Sequence, residues 1–104
     1  MAETPESLLA QTTGFQWDQA NEPKIFERHQ VTSAEVEQAF FHVPLLVALD
    51  LKHSADEVRM IALGRTTAER LLQIVFTIRI DRIRPISARD MTRREREQYA
   101  KANP

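Results

Sequence analysis

The sequence predicts an α+β fold, in which helices and one antiparallel sheet occupy separate stretches of the chain. Apolar residues recur at helical spacing between residues 18 and 42, and from residue 45 onward they alternate with polar residues, as in strands with one buried face. A charged helix ends the chain. The predicted order, β-α-α-β-β-β-β-α, is typical of a sheet of four or more antiparallel strands that is packed on one side by helices.

The first element is a short strand. We interpret residues 1–13 as a flexible extension that could hold one helical turn, because their single apolar stretch is short and flanked by polar residues. Residues 14–104 are interpreted as a single domain. Residues 14–17 are predicted to form a short strand that carries both of its aromatic rings on one face.

Capping residues predict the next two helices. Asp18 is the expected N-cap of the first helix, which would end near Gln30. Thr32 and Glu35 have the spacing of a capping box and predict a second helix over Ser33–His42.

Four strands are predicted after these helices, over residues 45–51, 57–64, 70–80 and 82–87. Alternation in the third strand places five apolar side chains on one face: Leu72, Ile74, Phe76, Ile78 and Ile80. Pro85 has no N–H to donate, so the fourth strand is expected at a sheet edge or a bulge. Thr92 and Glu95 form a second capping box, which predicts a last helix that ends near Ala102.

Composition excludes several classes of protein. The chain of 104 residues has no Cys, which excludes disulfides, thiolate metal sites and a cysteine nucleophile. Its two glycines are fifty residues apart, so no glycine-rich phosphate loop is present. No apolar run approaches the roughly 18 residues of a membrane span, and the acidic N-terminus is unlike a secretory signal. We therefore expect a soluble, cytoplasmic protein.

Charge is distributed unevenly along the chain. Residues 1–57 hold ten acidic and three basic side chains, whereas residues 58–104 hold five acidic and eleven basic ones, of which ten are Arg. The planar guanidinium group suits bidentate binding of phosphate. The basic half therefore indicates either a nucleic-acid partner or a surface on which the two halves form ion pairs.

The densest group of arginines lies in the last two predicted strands. Arg82 and Arg84 share one face of a strand, and Arg79 on the preceding strand could reach that face. Clustered guanidinium groups repel one another and favour an anion between them. Arg65 follows Gly64 at a strand end, where it could contact a ligand or lie in an ordinary turn. A solvated sheet face is the alternative interpretation of the whole group.

Histidines give a weaker signal. His29 ends the first predicted helix and could exchange a proton near neutral pH, or it could simply close the helix C-terminus. The three histidines fall on different elements and lack the spacing of metal ligands. We therefore expect no metal and no cofactor.

A set of short motifs, in a fixed order over about residues 14–100, resembles the BrnT family of type II toxins, relatives of the RelE superfamily. The most specific motif is Ile86-Ser87-Ala88-Arg89 ahead of a charged helix. The others are Phe15-x-Trp17-Asp18, Arg28-His29-x-Val31, His53-Ser54-x-x-Glu57-x-Arg59, Arg70-Leu71-Leu72, Arg82-Ile83-Arg84, and Arg94-Glu95 with Tyr99.

This resemblance implies a fold and an activity. The fold would be RelE-like and compact, with two N-terminal helices packed on an antiparallel sheet and a C-terminal helix. The activity would be metal-independent cleavage of RNA that inhibits growth or translation. The resemblance also implies a cognate, BrnA-like antitoxin that neutralises the toxin. DNA would be bound only through the antitoxin complex, which represses its own operon, and no membrane would be involved.

The implied reaction is attack by an RNA 2′-OH on the adjacent phosphate. It requires a base, positive charge at the phosphate and an acid for the 5′-oxygen. On this resemblance we assign phosphate clamping to Arg65, Arg84 and Arg89, and proton transfer to His29, with Glu57 as a second candidate base.

Four further side chains are expected to bind the RNA. Arg59, Arg79 and Arg82 would contact its phosphates. Tyr99 could stack on a base or serve only in packing.

Two positions depart from the family pattern. Where the pattern often has Lys after the Trp-Asp pair, this chain has Asn21, and where it often has a carboxylate, this chain has Ile78. These departures keep a second interpretation open. The chain could be a disarmed, non-catalytic toxin fold that acts as an interaction module in a DNA-binding repressor complex.

Overall fold

The middle of the chain folds into one antiparallel sheet of four strands, in a computed structural model that describes residues 4–53 and 56–102. Each strand pairs with the next along the chain, so β1 and β4 form the two edges. The strands are β1 (Leu46–Leu49), β2 (Arg59–Arg65), β3 (Leu71–Arg79) and β4 (Arg82–Asp90). The predicted α+β class and four-stranded sheet are confirmed.

Helices flank the sheet in sequence. Three precede it and one follows it, and a short 3-10 turn at Leu51–His53 separates β1 from β2. The helices are α1 (Pro5–Ala10), α2 (Glu22–His29), α3 (Ser33–Phe41) and α4 (Arg93–Ala102). Each helix in the described part of the chain is too short and too polar to cross a lipid bilayer.

The sheet has two unlike faces. On the inner face, Leu72, Ile74 and Phe76 are fully buried beneath α2 and α3, as the alternation in β3 predicts. The outer face carries Arg59, Thr77 and their neighbours in register. It is open except where α4 packs on it through Tyr99, which lies against Leu63 and Met91. The expectation of helices on one side only is therefore wrong for α4.

Pro85 lies where the sequence predicts it. It pairs with Phe76 at a register shift between Val75 and Phe76, on edge strand β4. Proline lacks a backbone N–H to donate, and both an edge strand and a register shift accommodate such a residue. The predicted inner row of β3, however, stops early. Ile78 is half-buried against the core, whereas Ile80 is fully exposed in the β3–β4 turn, with a φ of 59°.

The start of α2 differs from the prediction. Its N-cap is Asn21, whose Oδ1 accepts hydrogen bonds from the N–H groups of Glu22 (2.9 Å) and Asp18 (2.8 Å). Asp18 is wrong as the cap, because its carboxylate accepts from the Ala20 N–H in the turn before α2 and from Arg84, and the helix begins only at Glu22. The capping box of α3 is confirmed, with Glu35 N–H donating to Thr32 Oγ1.

The segment before α2 is less regular than predicted. The expected strand over residues 14–17 is reduced to one parallel bridge, between Phe15 and Ile83 on the edge of β4. Ahead of it, the possible helical turn is present as α1, and Leu8 and Leu9 pack against the main core.

Candidate functional site

Register between strands gathers arginines at one end of the outer face. Arg59 pairs with Thr77, and Thr77 pairs with Arg84. In the next row, Arg79 pairs with Arg82. Directly opposed side chains have Cβ atoms about 4.5–5.5 Å apart, so these arginines lie close together. We call these four arginines, with Glu57, the arginine corner.

Glu57 is the carboxylate of the arginine corner. Arg79 donates to both of its oxygens, from Nε at 2.9 Å and from Nη2 at 2.9 Å. The hydrogen bonds from Arg79, with the charges of Arg84 and Arg59, hold the pKa of Glu57 below its usual value, against the opposing effect of desolvation. Both partners are nearly half exposed. The result is an ionised, accessible carboxylate surrounded by positive charge.

Arg84 is the most buried member of the corner. Only 9% of it is exposed, and its guanidinium donates to Gln16 Oε1 and to both oxygens of Asp18. Arg84 therefore fastens the segment before α2 to β4. The hydrogen bond from Arg84 also lowers the pKa of Asp18.

Arg82 differs from the other members in its lack of an observed partner in the described part of the chain. It is exposed, and within residues 4–53 and 56–102 its side chain takes part in no hydrogen bond or ion pair that we observe. Among the contacts we observe, Glu57 binds Arg79 and Asp18 binds Arg84. The guanidinium group of Arg82 therefore remains available to bind an anion.

Arg89 and Arg65 lie elsewhere. Arg89 donates to both oxygens of Glu95 and to the Asp90 carbonyl, which ties β4 to α4. Arg65 donates to the Val43 carbonyl and to Glu69 Oε1. By strand rise, Arg89 is about 16 Å along β4 from Arg84, and Arg65 is about 20 Å along β2 from Arg59. Their assignment to a shared phosphate clamp has no support from these positions.

His29 lies toward the opposite end of β4. It ends α2 and lines a small cavity of about 50 Å³ with Arg28, Ser87 and Ala88. Its side chain is exposed, and its carbonyl accepts a hydrogen bond from Arg70 Nη2 at 3.1 Å. The structure therefore does not bring His29 to the arginine corner.

Tyr99 is a packing residue in this structure. Only 3% of it is exposed, and its hydroxyl donates to the Pro44 carbonyl at 2.6 Å. Burial raises the pKa of the hydroxyl. No face of the ring is open to a nucleic-acid base, so packing, rather than stacking on RNA, is the role that its position supports.

Sequence reasoning missed Arg70 as an organising residue. Its guanidinium reaches Asp90 Oδ1 (2.8 Å), Glu35 Oε2 (3.2 Å) and the carbonyls of Gln30 and His29. It thereby joins β3 to the end of β4 and to both ends of the α2–α3 connection. No local pattern could reveal this, because the partners lie 20 to 41 residues away.

The two departures from the family pattern lie away from the open carboxylate. Asn21 is buried to 3% exposure, and its Nδ2 donates to the carbonyls of Gln16 and Pro85. Ile78 alternates with Thr77 and Arg79 along β3 and packs against the inner core, on the opposite side of the sheet from Glu57.

The described ranges contain no group of side chains that could bind a metal ion. No three side chains of His, Asp or Glu in those ranges lie close enough together to hold an ion. The chemistry available at the arginine corner is that of a carboxylate base and guanidinium donors.

An α+β fold with an arginine-lined sheet face is the arrangement expected of a small protein that binds anions. The model of one family, the ribonuclease toxin BrnT of type II toxin–antitoxin systems, matches residues 17–95. The chain therefore belongs to the BrnT toxin family, and membership of a type II system implies an antitoxin partner. Among curated proteins, no relative matches the chain significantly.

Proposed function

We propose that this toxin is a metal-independent endoribonuclease that cuts RNA at the arginine corner. The observation that carries the proposal is the exposed carboxylate of Glu57, which is held by two hydrogen bonds from Arg79 and faces the charges of Arg59 and Arg84. A base beside several guanidinium groups is what transfer of a phosphoryl group within RNA requires.

The proposed step is internal transesterification. Glu57 accepts the proton of an RNA 2′-OH, and the 2′-oxygen forms a bond to the adjacent phosphorus. The bond from phosphorus to the 5′-oxygen breaks, and that oxygen takes a proton from water at this open face. The proton held by Glu57 then neutralises the hydroxide that remains, which restores the carboxylate. Arg79 and Arg82 neutralise the charge that builds on the phosphoryl oxygens. The products are a 2′,3′-cyclic phosphate and a 5′-hydroxyl.

Substrate binding would also activate the base. Without RNA, the hydrogen bonds from Arg79 lower the pKa of Glu57 and weaken it as a proton acceptor. When a substrate phosphate binds Arg79, the guanidinium group no longer donates to Glu57, and the phosphate neutralises the positive charge of Arg79. The pKa of Glu57 then rises, and the carboxylate becomes a stronger base when the substrate is present.

The positions of Asn21 and Ile78 favour this catalytic interpretation over the disarmed one. Ile78 packs on the inner face, so a carboxylate missing there leaves the Glu57–Arg79 pair complete. Asn21 supplies a helix cap and two further hydrogen bonds, of which the one to the Pro85 carbonyl is buried. These structural contacts therefore account for the Asn at position 21.

The remaining parts of the proposal concern partners. A BrnA-like antitoxin would neutralise the toxin in the cytoplasm, and DNA would be contacted only through their complex. A short reading frame next to the toxin gene that encodes a DNA-binding pattern would support this assignment, and its absence would count against it.

The test is cleavage of RNA by the purified chain in the presence of a chelator. We expect fragments with 2′,3′-cyclic phosphate and 5′-hydroxyl ends. Glu57→Gln should lower the rate by about 10²- to 10⁴-fold, which is the usual contribution of a general base.

Glu69→Gln is the matched control, because Glu69 is also an exposed carboxylate bound to an arginine, at the far end of β2. It should cut RNA like the unaltered chain. Cleavage by Glu57→Gln at the unaltered rate would contradict the proposal.

A further inference from the structure

A second feature of the outer face is a groove beside the arginine corner. It has a volume of about 300 Å³ and lies between α4 and strands β1 to β3. Ala48, Ile61 and Leu63 form an apolar floor, and the side chains of Gln73 and Gln98 line the groove with polar groups. The groove therefore offers an apolar surface bordered by amides.

Register places this groove next to the corner. On β2, Ile61 is two residues from Arg59, and on β3, Gln73 is four residues from Thr77. By strand rise, Ile61 lies about 7 Å along β2 from Arg59, and Gln73 lies about 13 Å along β3 from Thr77. Ile61 pairs directly with Val75, which continues the apolar floor toward β4.

The amides of the groove are available. Within residues 4–53 and 56–102, we observe no hydrogen bond from the side chain of Gln73 or of Gln98. The third polar residue, Glu95, differs, since Arg89 donates to both of its oxygens. The groove thus presents two uncommitted amides, each able to donate and to accept, beside a neutralised carboxylate.

We propose that this groove binds one unpaired base of the RNA, next to the phosphate that is cut, and that Gln73 and Gln98 determine which base is preferred. The inference rests on the proposed function, because the phosphate at the arginine corner sets the register of the strand. An apolar floor takes the face of a base that is not stacked in a duplex. Glutamine amides read the donors and acceptors on base edges.

The favoured occupant is a base rather than a peptide, because the groove continues directly into a positively charged surface. A strand of RNA that crosses the sheet would place phosphate over the arginines and its neighbouring base over Ile61 and Val75. Its edge would then face the Gln73 amide. The sheet therefore provides both the phosphate site and the base site in its observed backbone conformation.

Two measurements, RNA binding and RNA cleavage, test the proposed base pocket in this groove. Affinities for four short single-stranded RNAs, each with a single type of base, would be measured by fluorescence anisotropy, and cut sites would be mapped on a mixed-sequence RNA. We expect the unaltered chain to prefer one base by about 5- to 150-fold, as one well-placed amide contact provides.

The informative variant is Gln73→Met with Gln98→Met, because Met keeps the length of the side chain and removes the amide. We expect its base preference to fall close to unity, because its affinity for the preferred RNA should fall to that for the other three. Gln38→Met is the matched control, since Gln38 lies on α3, and it should keep the original preference. Thermal unfolding would show that the variants are folded.

The outcomes separate this inference from the proposed function. An unchanged base preference in the double Met variant would overturn the pocket, whether or not Glu57→Gln abolishes cleavage. Loss of antitoxin binding with base preference intact would assign the groove to a protein partner and also overturn it. A preference that depends on the two glutamines in a chain that cuts no RNA would uphold the pocket and reject the nuclease.

Discussion

Arginines in the basic half form two groups that are indistinguishable in the sequence. Arg70 and Arg89 each bind carboxylates and main-chain carbonyls, so they connect separate elements of the fold. Arg79 holds only the exposed carboxylate of Glu57 among the partners we observe, and Arg82 is exposed. A phosphate that replaces Glu57 at Arg79 breaks one exposed ion pair, between β3 and the segment before β2, and leaves the contacts of Arg70 and Arg89 intact.

This difference explains which arginines can serve a ligand. Arg84 sits within the arginine corner, yet its two-pronged contact with Asp18 fastens residues 16–18 to β4. Its charge reaches the site while its hydrogen-bond donors remain engaged with the protein. Membership of a charged cluster is therefore less informative than what each guanidinium already binds.

Among the arginines, the largest effect is expected for Arg79→Ala. It removes the donor that faces both Glu57 and the substrate phosphate, and loss of one such donor costs about 10²- to 10³-fold in rate. Stability should change little, because both side chains of the pair are nearly half exposed. Cleavage rates and thermal midpoints, measured on the same preparation, check both halves of this expectation.

A smaller effect, on stability rather than on rate, is expected for Arg70→Ala. The free energy of unfolding should fall by about 1–2 kcal/mol, a value that allows for the exposure of Asp90. Urea unfolding would measure it. A variant as stable as the unaltered chain would show that Arg70 does not hold the fold together.

At acidic pH, part of the stabilisation of the fold by Arg70 should be lost. The hydrogen bonds from Arg70 lower the pKa of Asp90 below its ordinary value of 3.8 in the folded chain. Asp90 therefore stabilises the fold fully above that value, and the contribution is lost as the pH falls through the lower, folded pKa. We expect the gap in stability between the unaltered chain and Arg70→Ala to be constant near neutral pH and to narrow below about pH 4.

The smallest effect is expected for Tyr99→Phe. It removes the hydrogen bond to the Pro44 carbonyl and should cost about 0.5–1.5 kcal/mol of stability. Cleavage of RNA should be unchanged once folding is allowed for, because the ring is buried. A large loss of RNA binding in a fully folded Phe variant would instead favour a stacking role.

The sequence predicts those features that depend on neighbouring residues. The alternation of β3, the capping boxes at Thr32 and Thr92, and the edge position of Pro85 are all local patterns, and all are present. Asp18 shows the limit of such patterns. It has the residue type of an N-cap, but its carboxylate binds the Ala20 N–H in a turn ahead of the helix and Arg84, which lies 66 residues away.

The residues of the candidate site also divide into those that local sequence could place and those that it could not. Arg79 and Arg82 could be placed on one face because they flank a single hairpin. The assignment of Arg65, Arg84 and Arg89 to one clamp could not be tested from sequence, because their carboxylate partners are set by packing. Glu57, a secondary candidate by sequence, gains its position from pairing with Arg79 across 22 residues.

The central claim is that proton transfer occurs at Glu57 and not at His29. The most direct test is the rate of a single round of RNA cleavage between about pH 5 and pH 8, for the unaltered chain and for His29→Gln. The pKa of Glu57 lies below its usual value without RNA and returns toward that value when a phosphate takes Arg79. We therefore expect no histidine-like step in either profile and equal rates for the two proteins. A rate that changes near neutral pH in the unaltered chain, and loses that dependence in His29→Gln, would contradict the claim.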